Sequence, residues 1–191
     1  MSLPEGLSAL QSPLTALQRL LSRFGEQGVI IGGIATGFLG RPRLTVDIDA
    51  MFLLSVKDIP NLMQAAKQEG IDPRIEAAEA FARKNRVVLL QHTESGIGID
   101  ISLGILPFEE EMVQRSIVHK IGSLALRLPT PEDLIILKAV AHRPKDLQDI
   151  RDIMISHPTL DQARIERWLK DFGETLDQPD LWERIRALLN E

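Results

Sequence analysis

Two aspartates separated by one residue, Asp47 and Asp49, are the side chains whose type and spacing most directly indicate chemistry. They alternate with the apolar residues Val46, Ile48 and Ala50, and a period of two is typical of a β-strand. Residues two apart on a strand share a face, so both carboxylates are expected to point the same way. Aspartate is depleted in strands and like charges repel, which makes a divalent cation the obvious compensating partner.

A third carboxylate lies on a later alternating segment, Gly96 to Leu103, where Gly98, Asp100 and Ser102 alternate with apolar residues. The apolar face is expected to enter the core, whereas the two small residues leave space beside Asp100. Three carboxylates on neighbouring strands can hold two hard cations about 3.5–4 Å apart, and Mg²⁺ is the natural choice because it prefers oxygen ligands. The alternative is that these aspartates are ordinary solvated carboxylates on exposed strands.

A glycine pair, Gly32 and Gly33, follows the apolar run 29–31 and precedes a predicted short helix at 34–39. Paired glycines before a helix let backbone N–H groups approach an anion at the positive end of the helix dipole. Glycine pairs occur in plain turns more often than in phosphate sites. The prediction of a phosphate site therefore depends on the position of this pair shortly before the aspartates. Together these features fit phosphoryl transfer, which needs charge neutralisation on a triphosphate and an activated hydroxyl.

The order of these motifs resembles the nucleotidyltransferase superfamily that shares the palm of DNA polymerase β. The resemblance rests on the segments Gly32 to Gly40 and Arg43 to Asp49, and it is closest to the AbiEii-like branch, which includes bacterial toxins of toxin–antitoxin pairs. That branch also has a helical lysine followed by Arg-x-Lys-Asp-x-x-Asp, which here matches Lys138 and the segment 143–149. The resemblance covers residues 28–153 and is patchy between the motifs.

The resemblance also implies which residues act. Asp47, Asp49 and Asp100 would be the catalytic metal ligands, with Mg²⁺ as the cofactor and Mn²⁺ as its alternative. Nucleotide contacts are implied for Gly32, Gly33, Thr36, Arg43 and Lys138. Most members of the superfamily carry a serine at the second position of the glycine turn, with its hydroxyl on a phosphate. This chain has Gly33 there, so backbone donors or the Thr36 hydroxyl would have to replace that contact.

Structural roles compete with these assignments at the basic residues. Lys138 follows the apolar segment 134–137, where a lysine commonly lays its stem over apolar surface. Arg43 can simply pair with a carboxylate, and the segment 143–149 can form a surface ion-pair network at the start of a helix. The four histidines lack a metal-ligand spacing such as two histidines four apart on one helix, so we interpret them as structural.

The elements that must position these residues are predicted from apolar periodicity and from capping and turn signals. Strands and helices mix up to residue 128 and only helices follow, which predicts an α+β fold: a polymerase β-like palm, with a mixed sheet flanked by helices, and a C-terminal helical region. The predicted domains are 1–128, nucleotidyltransferase-like, and 129–191, helical. Predicted strands are 29–31, 45–54, 87–91, 96–103, 117–120 and 124–128, and predicted helices include 58–68, 74–84, 145–156, 160–172 and 179–190.

Composition narrows the class of protein. The chain has 191 residues, no cysteine and no tyrosine, so disulfides and thiolate metal sites are excluded and base-stacking platforms are disfavoured. A net charge of −5 argues against a generic nucleic-acid binder. No stretch approaches the roughly 18 apolar residues of a membrane span, and no secretory signal is visible at the start. We therefore expect a cytoplasmic protein without a membrane partner.

The leading hypothesis is a Mg²⁺-dependent nucleotidyltransferase that moves a nucleoside monophosphate from a nucleoside triphosphate such as ATP to an acceptor. By resemblance, the acceptor is RNA, a protein or a small molecule, and an antitoxin protein is a candidate partner. The alternative is a catalytically weak or inactive nucleotidyltransferase-like module that binds or regulates through a protein partner, which the Gly33 departure favours slightly. A hydrolase that uses the same metals on a phosphate ester is a third possibility. The sequence does not reveal base preference, acceptor or oligomeric state.

Overall fold

The computed structural model describes residues 9–42 and 45–189, so the nucleotide-binding prediction for Arg43 falls outside the described residues. The described chain divides into two compact units. The first reaches Ile34 and continues after the gap to Leu128, and the second joins Ala35–Pro42 to the residues from Pro129 onward. Residues 35–42 thus group with the C-terminal helices, and the division into domains 1–128 and 129–191 stays a prediction.

A mixed sheet forms the centre of the first unit. Within the described residues it has five strands in the order β1-β2-β5-β4-β3. β2 and β5 run parallel, whereas the other neighbouring pairs are antiparallel. This arrangement confirms the predicted α+β class with a mixed sheet flanked by helices. The strands are β1 (Gly28–Ile31), β2 (Asp47–Phe52), β3 (Ile71–Pro73), β4 (Val87–His92) and β5 (Gly98–Leu103).

The two faces of this sheet differ in polarity because its strands alternate. On β5, Ile99 and Ile101 are fully buried, and on β2 Ile48 and Ala50 are 0% and 1% exposed. The intervening residues of β2, β4 and β5 that face the other way are only partly buried, apart from the buried Met51. The buried face supplies the core, at roughly 25 cal/mol per Å² of apolar surface removed from water, and leaves the other face available for polar side chains.

Helices and a small hairpin complete the first unit. Helix α1 buries a stripe of leucines at helical spacing, including Leu14, Leu17 and Leu20. The predicted strands 117–120 and 124–128 are present as the antiparallel hairpin of β6 and β7. These elements are α1 (Gln11–Arg23), α3 (Ile59–Gln68), α4 (Ala78–Asn85), α5 (Pro107–Arg115), β6 (Ile117–Ile121) and β7 (Leu124–Leu128). Helix α2 (Gly32–Leu39) begins in this unit, and the glycine pair forms its first turn.

The second unit is helical, as the sequence predicts for the C-terminal region. Thr130 caps its first long helix by accepting a hydrogen bond from the Asp133 N–H at 3.3 Å. Asp161 caps its third helix by accepting a hydrogen bond from the Arg164 N–H at 3.0 Å. The helices are α6 (Pro131–Ala141), α7 (Pro144–Ser156), α8 (Gln162–Thr175) and α9 (Leu181–Leu189).

One strand is missing from the sequence-based prediction, and one helix begins later than predicted. The sequence predicts a helix over 74–84, but α4 starts at Ala78 and is preceded by strand β3. The backbone N–H of Arg74 donates to the carbonyl of Leu89 at 2.9 Å, which extends the pairing of β3 with β4 by one residue. Along the described residues, no helix is both long and apolar enough to cross a membrane.

Candidate functional site

The three predicted catalytic aspartates lie on neighbouring strands of the first unit. Asp49 on β2 is the register partner of Asp100 on β5, and Asp47 is the partner of Gly98. Register partners project to the same side of a sheet, and so do residues two apart on one strand. All three carboxylates therefore occupy the partly exposed face, which is what the alternation in the sequence predicts.

The carboxyl group of Asp100 is held by an arginine from the edge strand. Nη2 of Arg74 donates to Oδ1 of Asp100 at 2.8 Å and to Oδ2 at 3.2 Å. Partial burial is the largest influence on this carboxyl and raises its pKa above 3.8, and the negative charge of Asp47 acts in the same direction. The charge of Arg74 and its hydrogen bond lower the pKa again without cancelling the rise.

Gly32 allows the backbone to pass directly against the Asp49 carboxylate. Its φ of +61° lies in the left-handed region, which favours glycine because any other residue would place a Cβ there at a steric cost. A Cβ at this position would also overlap the carboxylate and the Cβ of Asp49. The first turn of α2 and the aspartate face of β2 are thereby in contact, as expected if the turn and the carboxylates belong to one site.

Gly33 faces Thr45. Most members of the superfamily that this sequence resembles have a serine at the position of Gly33. A Cβ on Gly33 would lie 2.6 Å from Oγ1 and 2.9 Å from Cβ of Thr45, so the threonine side chain fills that space. The Thr45 hydroxyl is also 3.1 Å from the carbonyl oxygen of Asp47 and 3.2 Å from its Oδ1. Thr45 therefore supplies a hydroxyl beside the glycine turn and orients the Asp47 carboxylate.

The donor chemistry of this face fits a hard divalent cation. Asp47, Asp49 and Asp100 offer carboxylate oxygens only, and the coupling of Asp47 to the pKa of Asp100 shows that the two charges act on each other. The described ranges hold no ready-made cluster of three or more acidic, histidine or cysteine side chains arranged around a cation, and Asp100 is paired with Arg74. The three carboxylates thus lie on one face of the sheet but are not arranged around a single point.

Two further predicted nucleotide contacts, Thr36 and Lys138, lie in the second unit. Thr36 on α2 is 1% exposed, so its side chain is buried rather than presented to solvent. The Lys138 amine on α6 is 2.7 Å from Oδ2 of Asp149 and 3.4 Å from Oδ1 of Asp146, both on α7. The assignment of Thr36 and Lys138 to nucleotide binding stays a prediction.

The ion-pair network at the start of α7 is present: Lys138, Asp146 and Asp149 are buried, whereas the Arg143 side chain is exposed. The Asp146 carboxylate is fully buried and accepts hydrogen bonds from the Arg143 side chain, the shortest at 2.7 Å from Nε, and from its backbone N–H at 3.1 Å. Burial raises the pKa of Asp146, but these hydrogen bonds and the charges of Lys138 and Arg143 outweigh it, so the pKa is lowered overall.

The sequence predicts neither the contact of Arg74 with the site nor the structural role of Thr45. Arg74 is 26 residues from Asp100, and only the strand order β5-β4-β3 brings it there. Thr45 lies within the segment Arg43 to Asp49. Its position two residues before Asp47 indicates that its side chain can contact that carboxylate. A cleft of about 730 Å³ in the first unit, between α1 and the loop after β4, contains none of the predicted site residues.

The chain is similar to known proteins in sequence family and in fold. The sequence profile of a family described as "Nucleotidyltransferase of unknown function (DUF6036)" matches residues 7–177. A comparison with curated proteins gives no match.

Two solved structures have a similar fold at low sequence identity. The solution structure of the antibiotic-resistance factor ANT(2'')-Ia aligns over 87% of this chain and 94% of its own, with a TM-score of 0.57 and 16% identity. The crystal structure of an antigenic nucleotidyltransferase-like protein from Paracoccidioides brasiliensis aligns over 93% of this chain and 94% of its own, with a TM-score of 0.50 and 17% identity. At such identities the likeness concerns the fold.

Proposed function

The chain belongs to the nucleotidyltransferase family DUF6036, and from that premise we propose that its aspartate face transfers a nucleoside monophosphate from a nucleoside triphosphate to an acceptor. The observation that carries the proposal is the placement of Asp49 opposite Asp100 on parallel strands, with Asp47 on the same face. The close approach of Gly32 to Asp49 supports the proposal, because the glycine turn would bind phosphate beside these carboxylates.

Asp47 and Asp49 would hold the divalent cation on β2, and Asp100 would complete the ligand set on β5. Mg²⁺, or Mn²⁺ in its place, would supply charge neutralisation on the triphosphate and lower the pKa of the attacking hydroxyl. Asp100 would also accept the proton of that hydroxyl. The acceptor oxygen would then bond to the α-phosphorus, and pyrophosphate would leave.

The first turn of α2 would bind the triphosphate through backbone N–H groups. The first N–H groups of any α-helix have no partner within the helix and lie at its positive end, so they suit an anion. Gly32 and Gly33 would let the phosphates approach because neither carries a side chain. Thr45, whose hydroxyl lies where a side chain of residue 33 would be, would offer the hydroxyl that serine supplies in the resembling superfamily.

The test is transfer of label from [α-³²P]-labelled triphosphates to the RNA, protein and small-molecule fractions of a cell extract in the presence of Mg²⁺. Asp47→Asn and Asp49→Asn should each reduce the transfer by on the order of 100-fold or more, because each removes a charged ligand. Asp72→Asn is the matched control, since Asp72 lies on the edge strand β3 and is bonded to the Thr93 hydroxyl at 2.8 Å. Equal transfer by Asp47→Asn and Asp72→Asn would contradict the proposal.

The same assay separates the finer alternatives. A toxin of the AbiEii-like branch would label a nucleic acid, protein or small molecule from the cell, and co-expression with its antitoxin would suppress that label. Release of phosphate or nucleoside monophosphate without transfer would identify a hydrolase.

A second candidate is a nucleotidyltransferase-like binding module without turnover. The ion pair between Arg74 and Asp100 favours it, because the third carboxylate is already engaged. Triphosphate binding that depends on Asp47 and Asp49, without transfer to any fraction, would support this candidate.

A further inference from the structure

Arg74 reaches across the sheet to the third carboxylate of the site. It continues strand β3, and its backbone pairs with Leu89 on β4, which is itself the register partner of Asp100 on β5. Arg74, Leu89, Asp100 and Asp49 therefore form one row across the sheet. The arginine side chain spans the intervening strand and ends on the Asp100 carboxylate at 2.8 Å.

The guanidinium of Arg74 occupies space that is open because Gly98 has no side chain. A Cβ on Gly98 would lie 2.5 Å from Nη1 of Arg74 and 3.8 Å from Cβ of Asp47. The guanidinium thus rests over Gly98, between the Asp100 carboxylate that it binds and the position of Asp47 in the next row. It lies among the same carboxylates that would hold a cation.

A guanidinium and a divalent cation cannot share Asp100 without cost. Arginine has five N–H donors and no acceptor, so it cannot serve as a metal ligand and competes for the carboxylate oxygens instead. The two positive charges would also repel each other at close range. The Arg74 side chain is 36% exposed and that of Asp100 is 27% exposed, and an ion pair with this access to water is weak enough to be displaced.

We propose that Arg74 is the resident counter-ion of Asp100, which a divalent cation must displace, and that it thereby sets the cation affinity of the site. This inference rests on the proposed function, since it assigns Asp100 to cation binding. Without triphosphate, Arg74 keeps the third carboxylate neutralised and opposes full loading of the site. A triphosphate brings negative charge to the same face, which favours both the cation and a displaced arginine.

The test is Mn²⁺ binding to the whole protein without triphosphate or acceptor, measured by electron paramagnetic resonance at fixed, low ionic strength. Arg74→Ala should bind Mn²⁺ roughly three- to tenfold more tightly than wild type, the range expected for removing a partly exposed competing ion pair. Arg74→Gln, which keeps a polar stem and loses the charge, should show the same direction and replaces Arg74→Ala if that variant does not fold.

Two controls separate competition at Asp100 from a general loss of positive charge. Arg83→Ala removes an arginine of the same unit that is paired with Glu79 on α4, and it should change Mn²⁺ affinity by less than about twofold. In an Asp100→Asn background, Arg74→Ala should give no gain, because the contested carboxylate is gone.

Unchanged or weaker Mn²⁺ binding by both Arg74 variants would overturn the proposal, and so would a gain that persists with Asp100→Asn. Because no nucleotide is present, failure here leaves the transfer experiment unaffected. Conversely, a lack of transfer leaves the Mn²⁺ result standing.

Discussion

At the residue scale, three glycines make room for the charged and polar side chains of the site. Gly32 adjoins the Asp49 carboxylate, Gly33 adjoins the Thr45 hydroxyl, and Gly98 lies under the Arg74 guanidinium. At each position a Cβ would fall within 3.0 Å of the neighbouring side chain. The consequences differ, because the end of an arginine can move aside whereas the Asp49 Cβ is fixed to a central strand.

Substitution of Gly32 tests the fixed contact. Gly32→Ala should lower the free energy of unfolding by about 2–4 kcal/mol, since it combines a positive φ with an overlap in a packed site. Gly70→Ala is the matched control: its φ is +72° but nothing lies within 4 Å of its Cβ, so the cost should be only about 1 kcal/mol. Urea unfolding measures both, and equal losses would contradict the contact.

The raised pKa of Asp100 predicts a pH-dependent effect on stability. The folded protein binds a proton at this carboxyl more readily than the unfolded chain, so the contribution of Asp100 to stability falls as the pH rises through the folded pKa. Asp100→Asn should therefore raise the melting temperature at pH 7 by about 1–3 °C, and by less below the ordinary pKa of 3.8. Melting curves at both pH values check this, and destabilisation at pH 7 would contradict it.

At this scale, the sequence predicts the features that depend on neighbouring residues along the chain. The alternation around Asp47 and Asp49, and around Asp100, is enough to place each carboxylate on the polar face of its strand. Arg74 has no comparable local signal, because its partner is distant in sequence and the ion pair depends on which strand occupies the sheet edge.

At the element scale, the turn from β1 into α2 is fitted against the residues that lead into β2. Thr45 occupies the space beside Gly33 and contacts Asp47, so the spare volume that a serine would need is already used. Residue 33 is therefore a glycine because the Thr45 side chain leaves no room for a Cβ there.

Gly33→Ser tests this match. By resemblance alone, the serine would strengthen phosphate binding, whereas the contact with Thr45 predicts displacement of that side chain and loss of its hold on Asp47. We expect transfer to fall on the order of tenfold and to recover partly when Thr45→Ala is added, because the second change restores space. Transfer by Gly33→Ser at or above the wild-type rate would contradict this account.

Helices α6 and α7 are joined by buried charges that make Lys138 a stabilising residue. Lys138→Met would leave Asp146 and Asp149 without the amine, and should lower the free energy of unfolding by about 3 kcal/mol. Lys170→Ala, which breaks an exposed pair with Glu166 in the same unit, should cost about 0.5 kcal/mol or less. Urea unfolding compares the two variants.

Triphosphate binding by Lys138→Met addresses its other predicted role. A stable Lys138→Met variant that no longer binds ATP would show that the lysine acts on the nucleotide and that the ion pairs are secondary. Unfolding at lower urea with ATP affinity retained would identify the network as its main role.

The elements with strong periodicity are the ones that the sequence predicts well. The helices of the second unit and strands β2, β4 and β5 lie close to their expected positions because their apolar spacing spans several residues. Strand β3 is three residues long and ends in Pro73, so it shows no alternation, and it forms only because β4 offers a free edge. The register of Asp49 with Asp100 is likewise invisible, because it depends on pairing between strands far apart in sequence.

At the scale of the whole molecule, the chain belongs to a nucleotidyltransferase family, and its net charge bears on the acceptor of the proposed transfer. The net charge of −5 opposes unassisted binding of a long nucleic acid, which is itself polyanionic. A protein or small-molecule acceptor, or an RNA brought by a partner, is more compatible with that charge. The labelling assay on separated RNA, protein and small-molecule fractions therefore identifies the acceptor, because the same fold is compatible with each of these classes.

The activity proposed for the aspartate face of the sheet is transfer of the α-phosphate of a triphosphate together with its nucleoside. The most direct measurement compares acceptor labelling from [α-³²P]ATP and [γ-³²P]ATP, with Mg²⁺, for wild type, Asp49→Asn and Asp72→Asn. We expect label from the α-position only, lost with Asp49→Asn and retained with Asp72→Asn. Label from the γ-position, or α-label that persists with Asp49→Asn, would contradict it.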